Sequence, residues 1–186
     1  MILLASRSPQ RRALLAALGV PFRVVVPRTE EGEDPLANAR AKAHEVAARG
    51  GVPEGGAVLG VDTEVILDGR ALGKPADEAA ARRELRALSG RTHVVRSAIC
   101  VITQTGEREA VDDARVTFRP LSDEAIDRYV ATGEWRDRAG GYAIQGAGAD
   151  LVARVEGDHS TVVGLPVGRL AGLLEELGLA ERDRGG

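Results

Sequence analysis

The chain has 186 residues, of which 44% are hydrophobic and 28% charged, and a formal net charge of -3; this is the profile of a globular domain able to bury a substantial core. The mildly acidic balance gives no support to general DNA or RNA binding, which draws on a basic surface, and no apolar run approaches membrane-spanning length. The single cysteine, Cys100, excludes an internal disulfide and a Cys-based zinc site, so the expectation is a cytoplasmic enzyme or binding protein with any anion affinity built by local placement of charge.

Residues 1–5 are apolar and read as a short buried strand running into Ser6-Arg7-Ser8-Pro9-Gln10-Arg11-Arg12. A helical pattern follows to Leu18, with Ser8 as N-cap, Pro9 at the first helical position and Gly19 just past the end. The start of this helix gathers backbone N–H groups, two hydroxyls and up to three guanidinium groups, which suits an anion. It also suits a well-capped surface helix with solvated arginines. Residues 22–26 read as a second strand, and 27–35 as an acidic loop containing Glu30, Glu31, Glu33 and Asp34. An alanine-rich helix is expected over 36–49, ended by Gly50-Gly51.

Residues 57–60 read as a buried strand that Val61-Asp62-Thr63 interrupts, which puts Asp62 at a strand end, where α/β folds place ligand sites. A turn residue bonded to its own backbone is the competing reading. Asp68-Gly69 between 65–67 and 70–72 is a two-residue hairpin signal. Gly73-Lys74-Pro75 holds Lys74 on a rigid turn, and Asp77 caps a helix reaching Leu88. Long strands are expected over 92–103, half exposed by its alternation, and 109–118. A helix over 123–131 capped by Ser122, a Gly-rich functional loop over 134–148, strands at 150–156 and 161–163, and a helix from Pro166 to Gly178 complete the pass. Residues 181–186 read as a frayed tail after a single domain over 1–180. Interspersed strands and helices, with both hairpins and crossovers, indicate an α/β fold with a mixed sheet.

Of 25 basic residues only Lys42 and Lys74 are lysine, a mild pointer to positions needing a compact ammonium. Lys42 lies within a helix, where lysines are usually solvated. Glu31 gains importance only if it faces Asp62; two carboxylates set among these cations would suit a divalent metal with a polyphosphate. Gln145 offers an amide to a nucleobase edge or to its own loop. His44, His93 and His159 show no metal-ligand spacing, and Cys100 sits in a strand core as a structural thiol. Walker-type, dinucleotide-binding and Gly-x-Ser-x-Gly motifs are absent from the sequence.

The ordered set of segments resembles the Maf family, the septum-formation-inhibitor proteins regarded as nucleoside triphosphate pyrophosphatases. It comprises Leu4-Ala5-Ser6-Arg7-Ser8-Pro9-Gln10-Arg11-Arg12, Glu30-Glu31, Arg40-Ala41-Lys42-Ala43, Gly60-Val61-Asp62-Thr63 and Gly73-Lys74-Pro75. Leu88-Ser89-Gly90-Arg91-Thr92-His93, Gly140-Gly141-Tyr142-Ala143-Ile144-Gln145-Gly146 and Val163-Gly164-Leu165-Pro166 follow in order. The resemblance implies a twisted mixed sheet flanked by helices around a central cleft, like that of inosine-triphosphate pyrophosphatases, and often a homodimer. It implies hydrolysis of a nucleoside triphosphate to monophosphate and pyrophosphate with Mg²⁺ or Mn²⁺, and Asp62 matches the proton-acceptor position; a metal bridged by Glu31 and Asp62 makes Asp62 either that base or a metal ligand. Lys42, Lys74 and Arg11 match catalytic positions, and Ser6, Ser8, Gln10, Thr63 and Gln145 substrate-binding ones. Thr63 and Gln145 look like the branch acting on dTTP and UTP. Gln10 departs from that branch, which usually has Arg there, and leaves base preference open; Arg138 stands where the family often has Lys. The alternative is a nucleotide-binding regulator of cell division without turnover, and a generic phosphatase would release orthophosphate first.

Overall fold

The structure is a computed structural model that describes residues 1–179; the expected tail at 181–186 lies outside the described residues. Among the described residues seven strands form one mixed sheet flanked by helices, and these residues divide into two compact units, 1–62, 97–112 and 164–179 in the first and 63–96 and 113–163 in the second.

In the first unit, β1 (Ile2–Ala5) runs parallel to β2 (Phe22–Val25) on one side and to the start of β3 (Ala57–Leu67) on the other. Such parallel neighbours need crossovers, and the helices supply them. Helix α1 (Pro9–Ala17) joins β1 to β2 and starts as its sequence dictates, with the Ser8 hydroxyl accepting from Arg11 N–H at 3.3 Å and Pro9 in the first turn. Helix α2 (Pro35–Gly50) joins β2 to β3 and is capped by Asp34, which accepts from Leu36 N–H at 3.0 Å.

Alternation along β1 divides the unit's core. Ile2 and Leu4 pack with Leu15 of α1, Leu59, Ile99 and the leucines of α6 (Val167–Glu176), whereas Leu3 and Ala5 pack with Ala39, Ala43, Val46 and Cys100. Where α2 crosses β3 there is no room for a side chain: a Cβ on Gly60 would collide with the Ala39 carbonyl and lie 2.9 Å from Ala43 N. Small residues on both elements therefore bring helix and strand into close contact.

The second unit contains the far end of β3, β4 (Arg70–Leu72), α3 (Glu78–Leu88), α4 (Asp123–Ala131), β7 (Val152–Glu156) and α5 (His159–Val163), with parts of β5 (Thr92–Thr103) and β6 (Gly106–Phe118). The β3–β4 turn has positive φ at both central residues, 51° at Asp68 and 76° at Gly69, as a tight antiparallel hairpin requires. Asp77 and Ser122 cap α3 and α4 by accepting from Ala80 N–H and Ala125 N–H. The core collects Leu85, Leu88, Val116, Phe118, Tyr129 and Trp135. Within it His93 makes edge contacts to Phe118 and Tyr142, its Nε2 lies 2.6 Å from the Tyr142 hydroxyl, and its Nδ1 has no partner.

Several local expectations change. Asp62 is not at a strand end: β3 continues through 61–63, because the charge in mid-strand is matched by partners from α2. Residues 161–163 are helical in α5 despite their β-branching, since Asp158 accepts from both the N–H and the hydroxyl of Ser160 and turns the chain at 2.8 and 2.7 Å. The half-exposed long strand is β6, whereas β5 is buried from Ser97 to Val101. The strand expected from 150 starts at Val152, after a 3-10 turn at Gly146–Leu151.

Two outcomes follow from this packing. Gly60→Ala should destabilise the fold by about 3 kcal/mol, the upper range for overpacking a tight contact, and a denaturant midpoint unchanged from the parent contradicts the close crossing. Burial lowers the His93 pKa to about 4 from its ordinary 6.5, so neutral His93 contributes stability above pH 6.5 that is lost as pH falls toward 4, on the order of 3 kcal/mol. Glu84, raised to about 7 by burial, opposes this by lowering stability as pH rises from 4.5. The His93 effect is therefore read as a difference. The stability gap between the parent and His93→Gln should narrow as pH drops from 6.5 to 4, and a constant gap contradicts the burial of a neutral ring.

Candidate active site

Helix α2 turns two polar side chains, Asn38 and Lys42, onto the face that its alanines pack against β3. They are one helical turn apart and so point the same way. The Lys42 ammonium is buried and has three donors to place. They find Asp62 Oδ1 at 2.7 Å, Glu31 Oε1 at 2.8 Å and the Val61 carbonyl at 3.4 Å. Lys42 is 5% exposed and Asp62 8%, whereas the Glu31 side chain keeps 38% of its surface in solvent. One ammonium thus faces two carboxylates, Asp62 buried and Glu31 partly in solvent. Removing one partner of such a buried pair typically costs about 3–5 kcal/mol, because the other is left uncompensated.

The expected meeting of Glu31 and Asp62 is therefore present, and Lys42 is what joins them. Lys42 is not a solvated helix lysine. Asn38 escaped the sequence reading. It donates to Asp62 Oδ2 at 2.9 Å and forms a two-bond ring with Gly32, donating to its carbonyl at 2.9 Å and accepting from its N–H at 2.7 Å. A polar residue four positions before Lys42, on an otherwise alanine-rich face, was the signal available.

The opening segment lies in the same unit. Arg11 donates from Nε to the Gly164 carbonyl at 2.8 Å and from Nη1 to the Val61 carbonyl at 3.2 Å, with buried Ser6 Oγ at 3.5 Å. Both Arg11 and Lys42 thus reach Val61, next to Asp62. The helix start is less open than the sequence suggests. Ser8 N–H donates to Ser6 Oγ at 3.1 Å and Arg11 N–H to Ser8 Oγ, while the Ser8 hydroxyl donates to Gln10 Oε1 at 3.3 Å. Arg12 is exposed.

Thr63, Lys74 and Gln145 belong to the second unit. Thr63 follows Asp62 on β3 and is half-buried, and Lys74 and Gln145 are exposed. Gly140 N–H donates to the Gly73 carbonyl at 3.1 Å, tying the loop of Gln145 to the turn of Lys74. That loop is closely held: Tyr129 OH accepts from Ala143 N–H at 3.0 Å, and Gly140, at φ +68°, leaves its missing Cβ only 3.0 Å from Val65.

Cys100 is a buried structural thiol as expected; burial pushes its pKa well up, and it donates to Glu107 at 3.3 Å. Cys100, Glu107 and Glu109 also place potential ligand atoms near one another. The carboxylates there are matched already, Glu109 by Arg40 at 2.6 and 2.9 Å and Glu107 by His44 at 2.8 Å.

A protein-family model described as Maf-like protein matches residues 1–177. A dTTP/UTP pyrophosphatase of Thermus thermophilus is 52% identical over 174 residues, covering 93% of this chain and 92% of the relative. Proteins of the same description from Moorella thermoacetica and Deinococcus radiodurans are 48% and 44% identical, each over 96% of this chain and 95% and 94% of their own length. The family model spans nearly the whole chain and these relatives are at least 44% identical over at least 93% of it, so the chain belongs to the Maf-like family.

Proposed function

We propose that this chain is a nucleoside triphosphate pyrophosphatase that cleaves dTTP and UTP to the monophosphate and pyrophosphate. The observation that carries the reading is the buried Lys42 ammonium held between Asp62 and Glu31. A purely structural ion pair needs one carboxylate; the second, Glu31, adds hard oxygen donors that remain partly open to solvent beside the buried pair. The names of the relatives support the pyrimidine preference, and Thr63 and Gln145 agree with it. Gln10, which engages Ser8 through an amide, removes a charge without removing Arg11.

The donor set fits the divalent cation implied by the family. Glu31 and Asp62 each place a carboxylate oxygen within 2.8 Å of one ammonium, and Mg²⁺ and Mn²⁺ prefer such hard oxygen ligands. When bound there, the cation would neutralise phosphate charge and polarise a phosphoryl oxygen. The remaining work belongs to the chain. Lys42 and Asn38 fix the Asp62 carboxylate by its two oxygens, so that it can take a proton from water as the water oxygen bonds to the α-phosphorus. The bond from that phosphorus to the oxygen bridging to the β-phosphate breaks, and pyrophosphate leaves with the electron pair. Lys42, Lys74 and Arg11 offset the charge on phosphate, which is the main electrostatic task in such transfers. Ser6 donates to a phosphate oxygen, the Ser8 hydroxyl turns from Gln10 to do the same, and Gln10, Thr63 and Gln145 select the base.

The net charge of -3 agrees with action on free nucleotides rather than on DNA or RNA. No helix among the described residues is long and apolar enough to cross a membrane. A single-domain homodimer in the cytoplasm completes the reading.

A panel of standard, methylated and non-standard nucleotides with Mn²⁺, scored for the first product released, tests it. UTP and dTTP should lead with pyrophosphate, and Asp62→Asn should lower kcat at least a thousandfold while nucleotide still binds. Orthophosphate as first product, a purine as best substrate, or nucleotide bound but uncleaved by the parent chain contradicts the proposal.

A further inference from the structure

Asn38 is 7% exposed and bonds to the Asp62 carboxylate and to the backbone of Gly32, the neighbour of Glu31, without contributing a charge. Its amide has one satisfying orientation. Nδ2 has two hydrogens, for Asp62 Oδ2 and the Gly32 carbonyl, and Oδ1 takes the Gly32 N–H. Turning the amide over would set oxygen against a carboxylate and a carbonyl, and N–H against N–H. The side chain is thus locked by three partners, and each partner in turn is held by it.

The geometry points to Asn38 as a positioning residue that couples Asp62 to the loop carrying Glu31, setting the spacing of the two carboxylates across Lys42. Gly32 is the residue next to Glu31, and a two-bond ring on its backbone fixes where that exposed loop enters α2. Asn38 and Lys42, four residues apart, then grip opposite oxygens of Asp62, Oδ2 and Oδ1. The carboxylate plane is set by two donors from one rigid helix. The role assigned here rests on the pyrophosphatase reading, but the tether itself is a property of the fold.

Two substitutions divide the three bonds. Asn38→Asp keeps an oxygen able to accept from Gly32 N–H but replaces the donor to Asp62 and to the Gly32 carbonyl with a second carboxylate. Asn38→Leu keeps the volume and removes every polar contact. The experiment measures amide hydrogen exchange at Gly32 in the full chain, and kcat and KM for pyrophosphate release from UTP. The Gly32 amide should exchange slowly in the parent and in Asn38→Asp, and at least tenfold faster in Asn38→Leu while the amides of β1 keep their protection. In both variants kcat should fall ten- to a hundredfold, as expected for loss of a charge-assisted bond, with KM within about threefold of the parent. A loss confined to stability would leave kcat of the folded fraction intact and so overturn the inference. Fast Gly32 exchange in the parent, or parental exchange in Asn38→Leu, also overturns it. A parent that releases no pyrophosphate sinks the functional proposal instead, and Gly32 exchange still decides whether the tether exists.

Discussion

Burial of the Lys42 ammonium is the interaction on which the first unit's chemistry depends. An ammonium at 5% exposure is tolerable only with its donors matched, and the fold matches them with Asp62, Glu31 and the Val61 carbonyl. That arrangement is possible because α2 lies directly on β3. Ala39, Ala43 and Gly60 leave so little between helix and strand that the side chain at 42 reaches the strand position two residues beyond Gly60. A larger residue at the crossing would lift the helix and strand the charge. Packing of the smallest side chains and placement of the charged ones are thus one constraint.

The same economy appears around Val61. Its carbonyl accepts from Arg11 as well as from Lys42, so two cations from two helices are referenced to one point on β3. Arg11 also reaches the Gly164 carbonyl, which ties the start of α1 to the entry of the last helix. In the second unit the loop of Gln145 is restrained by bonds to Tyr129 and the Gly73 carbonyl and by burial of Tyr142 and Ile144, which leaves Gln145 itself exposed. Exposed side chains on restrained backbone suit contact with a ligand, since little ordering remains to be done on binding.

Features governed by neighbours in sequence were legible from the chain alone. The caps at Ser8, Asp77 and Ser122 and the Asp68-Gly69 turn are local hydrogen-bond and φ requirements, and each stands where its residues indicated. The family resemblance singled out Glu31, Lys42 and Asp62 together, which residue types alone could not do. What remained hidden depends on contacts distant in sequence. Asp62 seemed to end a strand because a charge in an apolar run looks like an interruption; only α2, across 20 residues, makes it tolerable there. Residues 161–163 looked extended because β-branching favours strands, and the Asp158–Ser160 bonds reverse that preference. Asn38 carried no charge and no motif, and its one local signal, a polar side chain one turn before Lys42 on an alanine-rich face, gains meaning only once that face is known to lie on β3.

The central claim is that the charges at 42 and 62 are kept for chemistry rather than for folding, and a paired neutral replacement tests it most directly. Lys42→Met with Asp62→Asn removes both buried charges together, and the Glu31 carboxylate, which loses the ammonium, stays partly in solvent. The account predicts a double variant with a Tm within a few degrees of the parent and pyrophosphate release at the background rate. A folded double variant that turns over UTP within tenfold of the parent would contradict it.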